Sequence, residues 1–482
     1  MISDDMLQAM SLMKAAVLEL KDLDKSIELA EIYATILWAA DLSIYDAPDI
    51  EVQLIERCSL NETESNIPAL KKDCLHVITE PYMIGGHTRL MEQLATMHTN
   101  KPDILVTRAS TDVALLRTKV FFDNAYVISA ESRQERISKI FDIIKNYTKI
   151  VLHTHPNDIE AIISCGVLKR KTEVKVFFVN HADHVFTYGS SVADIYFEIS
   201  SYGKSLDNFK KITGKKSFLG IPVANKNAAA KNINIRKDGA LNFFSAASAT
   251  KFKPSKGFDI RPAIESILSE YKRSVFWIVG ANLYTSTWWW VLKVKYGRRF
   301  KVIPALPYIS YCNLLEKADF YMDSYPLPGG TAFCEQVLSG RKCIGLISPV
   351  QGYSPADKLK SADLTSLMSS ISQESNDLDI LKLISLVNGY ESVKSRYLKC
   401  LYSGEVFSNM MEDLTPWAGS FTFFQQDKKI TVAIPPAAIM RLMAIDFRLC
   451  LKIIKMLSRQ QQFKMILKIL IIKAKFLLKK TR

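Results

Sequence analysis

Apolar positions in the first 42 residues recur at three- and four-residue spacing. Leu7, Met10, Met13, Leu18 and Leu20 follow this rhythm and Ser26 to Ala40 repeats it, which predicts helix through 5–42. The rhythm then changes. Short apolar runs at Cys74–Thr79, Ile104–Thr107, Asn124–Ile128, Lys149–His153 and Val174–Asn180 read as strands. Between them, the amphipathic stretches Gly86–Met97, Gln134–Tyr147 and Asp158–Gly166 read as helices. Such alternation predicts an α/β fold with a parallel sheet covered on its faces.

The alternation pauses between Gly203 and Lys256, a stretch rich in Lys, Asn, Gly, Ser and Ala that suits an interdomain connection. It resumes with helix at Ile260–Tyr271, strand at Ser274–Val279, helix at Trp288–Tyr296 and strands at Phe300–Ile303 and Phe320–Ser324. A helix at Thr331–Leu338 and a strand at Lys342–Leu346 follow. The expected division is 1–235, 236–436 and a tail of 437–482, with two α/β domains across a cleft. Open α/β sheets bind ligands beyond the carboxyl ends of their strands, so the chemistry belongs in loops that follow strands.

Composition supports this outline. The 482 residues are 48% hydrophobic and 23% charged, enough apolar material for two cores. The opening Met-Ile-Ser-Asp-Asp-Met lacks the basic and apolar regions of a signal peptide, and no uncharged apolar run reaches the ~18 residues of a membrane span. The eight cysteines are scattered with no Cys-x-x-Cys pair, which predicts buried free thiols in a reducing compartment. The net charge of +14 suggests nucleic acid until it is located. From Arg441 onward there are 12 Lys or Arg and one acid, so the tail carries +11 and the body is nearly balanced.

The most informative segment is Phe320-Tyr-Met-Asp-Ser-Tyr-Pro-Leu-Pro-Gly-Gly-Thr-Ala-Phe-Cys-Glu335, which reads as strand, glycine loop, helix. Gly329 and Gly330 admit close backbone approach. Thr331 is placed to cap the helix, whose exposed N–H groups and positive dipole end suit a diphosphate. Glu335, one turn on, is placed to accept hydrogen bonds from ribose hydroxyls. An ordinary strand–turn–helix has the same local pattern.

Asp323-Ser-Tyr-Pro-x-x-Gly-Gly-Thr-Ala-x-x-Glu335 resembles the nucleotide-sugar site of GT-B glycosyltransferases. The resemblance implies two Rossmann-like domains facing a cleft, with the diphosphate on the Gly-Gly-Thr loop and the ribose on the helix glutamate. It extends through Val350-Gln-Gly-Tyr-Ser-Pro-Ala-Asp357, which brings in Tyr353 and Ser354, and through Ser248-Ala-Thr-Lys-Phe-Lys253. There Lys251 and Lys253 are candidates for the phosphates, or else solvated surface lysines. Retaining members often carry a second glutamate eight residues earlier; here that position is Leu327, so retention is not supported.

All seven histidines lie between His76 and His184, and histidine is the side chain that titrates nearest neutral pH. Three groups follow predicted strands: Gly85-Gly86-His87 with Arg89, His153-Thr-His155, and His181-Ala-Asp183-His184. Gly-Gly-His in a first-domain loop resembles several GT-B enzymes and related nucleotide-sugar epimerases. Inversion needs a base for the acceptor hydroxyl. His87 is the first candidate, with Asp183 or His181 next. Gly85, Gly86, Arg89, His153 and His184 fall on the acceptor side, where Arg89 meets an anionic group or makes a helix-surface ion pair. His153, His155, His181, Asp183 and His184 have metal-ligand chemistry, but His-x-x-His at 181–184 is the wrong periodicity for a strand face and the resemblance implies metal independence. No metal or cofactor is expected.

In the tail, Ile453, Ile454, Leu457, Met465, Ile466, Ile469, Leu470, Ile472, Phe476 and Leu477 interleave with lysines. Such a helix suits the headgroup region of an anionic membrane and is too basic to span it. The alternatives are packing on the protein body or binding an acidic partner. Few aromatics in the tail and a balanced body argue against nucleic acid. The chain thus reads as a cytoplasmic, peripheral-membrane glycosyltransferase moving a sugar from a nucleotide-sugar donor to a glycan or lipid-linked acceptor, as in bacterial surface-polysaccharide synthesis. A nucleotide-sugar epimerase, a polyol-phosphate transferase and a non-catalytic membrane scaffold are the alternatives.

Overall fold

The computed structural model describes residues 4–39, 42–59, 71–83, 86–108, 111–223, 239–255, 257–373, 378–416, 419 and 435–457. Between 458 and 471 it describes 459, 462, 463, 465–467, 470 and 471. Gly85 and the tail positions Lys464, Lys468, Ile469 and 472–482 lie outside the described residues.

Among the described residues, twelve strands form two sheets. The first comprises β1 (Lys72–Ile78), β2 (Asp103–Val106), β3 (Ala125–Val127), β4 (Tyr147–His153), β5 (Lys175–Val179), β6 (Ile195–Glu198) and β7 (Lys215–Phe218). The second comprises β8 (Asn242–Ala246), β9 (Val275–Val279), β10 (Phe300–Ile303), β11 (Phe320–Met322) and β12 (Lys342–Ile344). Their orders are β3-β2-β1-β4-β5-β6-β7 and β10-β9-β8-β11-β12, and every pairing is parallel. Both are doubly wound. The order reverses between β1 and β4 in the first sheet and between β8 and β11 in the second, and such switch points open a crevice for ligand.

Local sequence explains the elements that matter here. Ile150-Val151-Leu152 of β4 is buried without alternation, as expected of a parallel strand covered on both faces. The helix Arg133–Ile144 starts at Ser132, whose hydroxyl accepts from Glu135 N while Glu135 Oε2 accepts from Glu131 N. It buries Ile137, Ile140, Phe141 and Ile144, one stripe at helical spacing. The expected pause between 203 and 256 contains two strands, β7 and β8, each only four or five residues long. All eight cysteines are free, and all but Cys312 are buried.

The expected second domain, 236–436, includes a segment that packs on the first sheet. The helix Tyr390–Ser403, inside the predicted second domain, buries Val393, Tyr397, Cys400 and Leu401 in a cluster with Cys74, Val151 and Phe177 of the first sheet. The chain therefore crosses back near residue 390. The helices Pro436–Ile445 and Phe447–Met456 pack on Leu23–Ala39 and Asp4–Glu19. Ile439, Leu442, Cys450 and Ile453 join the first domain's core, and Arg441 pairs with Glu28 at 2.9 Å and Glu31 at 3.0 Å. Ile453, Leu457 and Met465, expected on a membrane face, are buried against the protein body. The apolar side chains left exposed beyond them are Phe463, Ile466, Leu467, Leu470 and Ile471. No helix among the described residues is long and apolar enough to cross a membrane.

Candidate active site

The loops after β1, β5, β6, β8, β11 and β12 converge on one interdomain cleft of about 360 Å³. The first domain supplies Gly86, His87, Leu90, His181, His184 and Ile199. The second supplies Ser248, Thr250, Lys251 and the run Leu327 to Thr331, with Val350 and Tyr353. Of the residues expected from the sequence, the cleft brings together Gly86, His87, His181, His184, Lys251, Gly329, Gly330, Thr331 and Tyr353. Ser248, Thr250, Ile199, Leu327, Pro328 and Val350 were not among the expected site residues; only their position after strands marks them.

The Gly-Gly loop is held from beneath. Asp323 Oδ1 accepts from Gly329 N and Ser324 N, both at 2.8 Å. A β-carbon on Gly329 would lie 2.5 Å from that oxygen, so only glycine fits. Gly330 has φ +56 and is the residue preceding the helix Thr331–Leu338. Thr331 is therefore the first helical residue and not the expected cap, and the helix N-terminus is left open toward the cleft. Asp323 is 1% exposed and serves as the support of the loop, not as a donor contact. Its Oδ2 pairs with Lys360 at 2.7 Å, and Lys360 reaches Asp357 at 2.6 Å. Asp357 in turn accepts from Gly352 N at 2.8 Å. One buried cation thus ties the two loops together. Burial works against the Lys360 charge, but the two carboxylates outweigh it and raise its pKa.

The other predicted donor residues divide. Lys251 Nζ donates to Pro328 O at 2.7 Å while lining the cleft, and burial lowers its pKa against the pull of Asp323. Lys253 is exposed and outside the lining. Ser354 is buried, capping the turn at Pro355–Leu359 and donating to Cys334 Sγ at 3.1 Å. Glu335 is not in the lining; it forms an ion pair with Arg89 across the cleft at 3.2 Å. Half-exposed pairs of this kind contribute ~0.2–1 kcal/mol, weak enough for a ligand hydroxyl to displace.

Asp183 does not fit the role of a base. It is 2% exposed, accepts from Ser200 Oγ at 2.5 Å and Tyr353 Oη at 2.8 Å, and stands 3.5 Å from His184. The Tyr353 bond joins the two domains, as does Ser201 N to Gly352 O at 3.1 Å. His155 packs on Trp38 and bonds Asn157, outside the lining.

The remaining histidines form a line. His181 Nε2 lies 2.8 Å from His153 Nδ1, and His153 Nε2 lies 3.0 Å from His76 Nδ1. His76 and His153 are fully buried, so His153 supports the cleft without entering it. His87 Nε2 lies 2.8 Å from the carbonyl oxygen of His153. A carbonyl only accepts, so Nε2 carries the hydrogen and Nδ1 is left as a bare acceptor. Burial pushes the His87 pKa down to about 4. His181 is also held well below its ordinary value, by burial and by His87. Both are neutral at pH 7.

No protein-family model and no curated protein sequence matches the chain. Solved structures do. HepE from Anabaena, in complex with UDP and glucose, superposes with a TM-score of 0.52 at 10% identity, covering 69% of this chain and 100% of that one. The lipopolysaccharide outer core galactosyltransferase WaaB, in its apo form, gives 0.50 at 13% identity, covering 69% and 100%. The chain therefore has the GT-B fold, two Rossmann-like domains facing a cleft.

Proposed function

We propose that the protein is a glycosyltransferase that moves a sugar from a uridine-type nucleotide donor to a glycan or lipid-linked acceptor in surface-polysaccharide synthesis. The observation that carries this reading is the cleft itself: a supported Gly329-Gly330 loop opening a helix, opposite a neutral His87 whose Nδ1 is a bare acceptor. The fold it shares with nucleotide-sugar transferases supports it.

In this reading the diphosphate lies on the Gly329–Thr331 backbone with Ser248, Thr250 and Lys251 beside it. Glu335 leaves Arg89 and accepts from the ribose. Arg89 is then free for an anionic acceptor group. The reaction is a single inverting displacement. The acceptor oxygen bonds to the anomeric carbon as that carbon's bond to the diphosphate oxygen breaks, and the acceptor proton passes to His87 Nδ1. No metal is required at the diphosphate, whose charge the loop N–H groups and Lys251 meet. Leu327, where a second glutamate would serve retention, supports inversion.

The exposed Phe463, Ile466, Leu467, Leu470 and Ile471, together with the tail lysines, are the surface proposed to rest on anionic lipid at the inner face of the cell membrane. Deleting 459–482 should release the protein from anionic vesicles with nucleotide binding intact; persistent binding would remove this part of the reading. The test of the activity is a screen of nucleotide sugars with product analysis, run with and without acceptor. Conversion of the nucleotide sugar to an epimer without acceptor would indicate an epimerase instead.

A further inference from the structure

Behind the cleft, four polar side chains from three separate elements meet in an otherwise apolar layer. Cys74 and His76 are two residues apart on β1 and share a face. His98 follows the helix Gly86–Thr96, and Tyr397 comes from the crossing helix Tyr390–Ser403. Ligand atoms of Cys74, His76 and His98 all lie within 4.8 Å of one another. His76 Nε2 is 3.3 Å from His98 Nε2, and Tyr397 Oη is 3.2 Å from the first and 3.1 Å from the second.

These three edges form a nearly equilateral triangle. A tetrahedral ion with metal–nitrogen bonds of ~2.0–2.1 Å separates its ligands by about 3.3 Å. Hydrogen bonding accounts for two of the three edges: one ring N–H donates to Tyr397 Oη, and Oη–H donates to the other ring's Nε2. The third edge, Nε2 to Nε2, has no hydrogen of its own, whereas an ion accounts for all three. We propose that Cys74, His76 and His98, completed by Tyr397, bind one zinc ion that fastens the crossing helix to the first sheet.

The donor set is two imidazoles, a thiol and a phenol, the borderline-soft chemistry that selects zinc over magnesium or calcium. Cys74 and Tyr397 belong to an apolar cluster with Leu90, Leu94, Met97, Val151 and Phe177, and His76 is fully buried, while His98 is partly exposed. The outer contact also fits. A metal on His76 Nε2 places that ring's hydrogen on Nδ1, which donates to His153 Nε2 at 3.0 Å, as metal-bound histidines regularly do. His153 then donates from Nδ1 to His181 Nε2, which leaves the His181 hydrogen on Nδ1. The ion would thereby make His181 a donor in the cleft; the acceptor Nδ1 of His87 is set independently, by the His153 carbonyl. Its role is structural and separate from nucleotide binding, so it stands or falls independently of the proposed activity.

The test uses the full chain purified from zinc-supplemented medium, with elemental analysis and Co²⁺ titration of the metal-stripped protein. The expected result is one zinc per chain and a Co²⁺ adduct with intense thiolate-to-metal absorption and the visible bands of tetrahedral coordination. Both should be lost in Cys74→Ser and in His98→Asn, and a chelator should lower Tm in the wild type but not in either variant. If the wild type holds far less than one zinc per chain and Co²⁺ gives no thiolate band, the proposal is overturned. Zinc retained at full stoichiometry by the Cys74→Ser, His98→Asn double variant would overturn it equally, and since the wild-type titration needs no variant, poor folding of either substitution leaves the test intact.

Discussion

Replacing Lys360 with methionine removes one buried cation from between two buried carboxylates. Its side chain is 1% exposed, that of Asp323 2% and that of Asp357 8%, with nitrogen–oxygen distances of 2.7 and 2.6 Å. Breaking a buried ion pair from one side costs ~3–5 kcal/mol, because the remaining charge is stranded. Lys251 also feels Asp323 and offsets part of this, so the lower half of the range is expected. For a domain of about 200 residues each kcal/mol moves Tm by ~2–4 °C, which gives a fall of ~6–16 °C. Thermal and urea unfolding at pH 8 measure it. A variant within ~1 kcal/mol of the wild type at pH 8 would refute the claim that this ion holds the two donor loops together.

Five further outcomes are expected. Gly329→Ala places a β-carbon 2.5 Å from Asp323 Oδ1, so the loop must shift and lose its 2.8 Å support; at ~1–3 kcal/mol, nucleotide affinity should fall about tenfold, read by calorimetry. His87→Ala should lower kcat by ~10²–10⁴ with little change in nucleotide Kd. With the His87 pKa at about 4, wild-type kcat/KM should be flat from pH 6 to 8 and decline only as protonation of Nδ1 sets in below it; an inflection at the ordinary histidine value would count against His87 as the base. Arg89→Ala should leave nucleotide affinity unchanged or raise it, because Glu335 is released in advance, whereas Glu335→Ala should weaken it.

The sequence made some of this legible and hid the rest for physical reasons. Strands buried on both faces, such as β4, and amphipathic helices, such as Arg133–Ile144, announce themselves by periodicity. The helix Thr331–Leu338 was placed to the residue, though its cap moved from Thr331 to Gly330, because positive φ at that glycine turns the chain without a side-chain acceptor. The strands β6, β7 and β8 escaped although they are no shorter than β2 or β10: β6 ends in Glu198, β7 opens on Lys215-Lys216, and β8 lies within the polar stretch read as a connection. Lys360 reads as one more surface lysine, since its burial depends on Asp323, 37 positions earlier. Asp323 and Asp183 lie in the right segments, but their oxygens are engaged by groups that only folding brings near. The amphipathic start of the tail was visible, yet its apolar stripe at Ile453 and Leu457 faces the first domain, and no periodicity distinguishes protein from lipid.

The central claim is that the Gly329–Thr331 loop and Glu335 hold a nucleotide diphosphate. Calorimetric titration of UDP into the intact protein, without added magnesium or manganese, tests it most directly. One site per chain is expected, weakened in Glu335→Ala and in Gly329→Ala. If the folded protein gives no binding with UDP or with any other nucleoside diphosphate, the donor site described here does not exist.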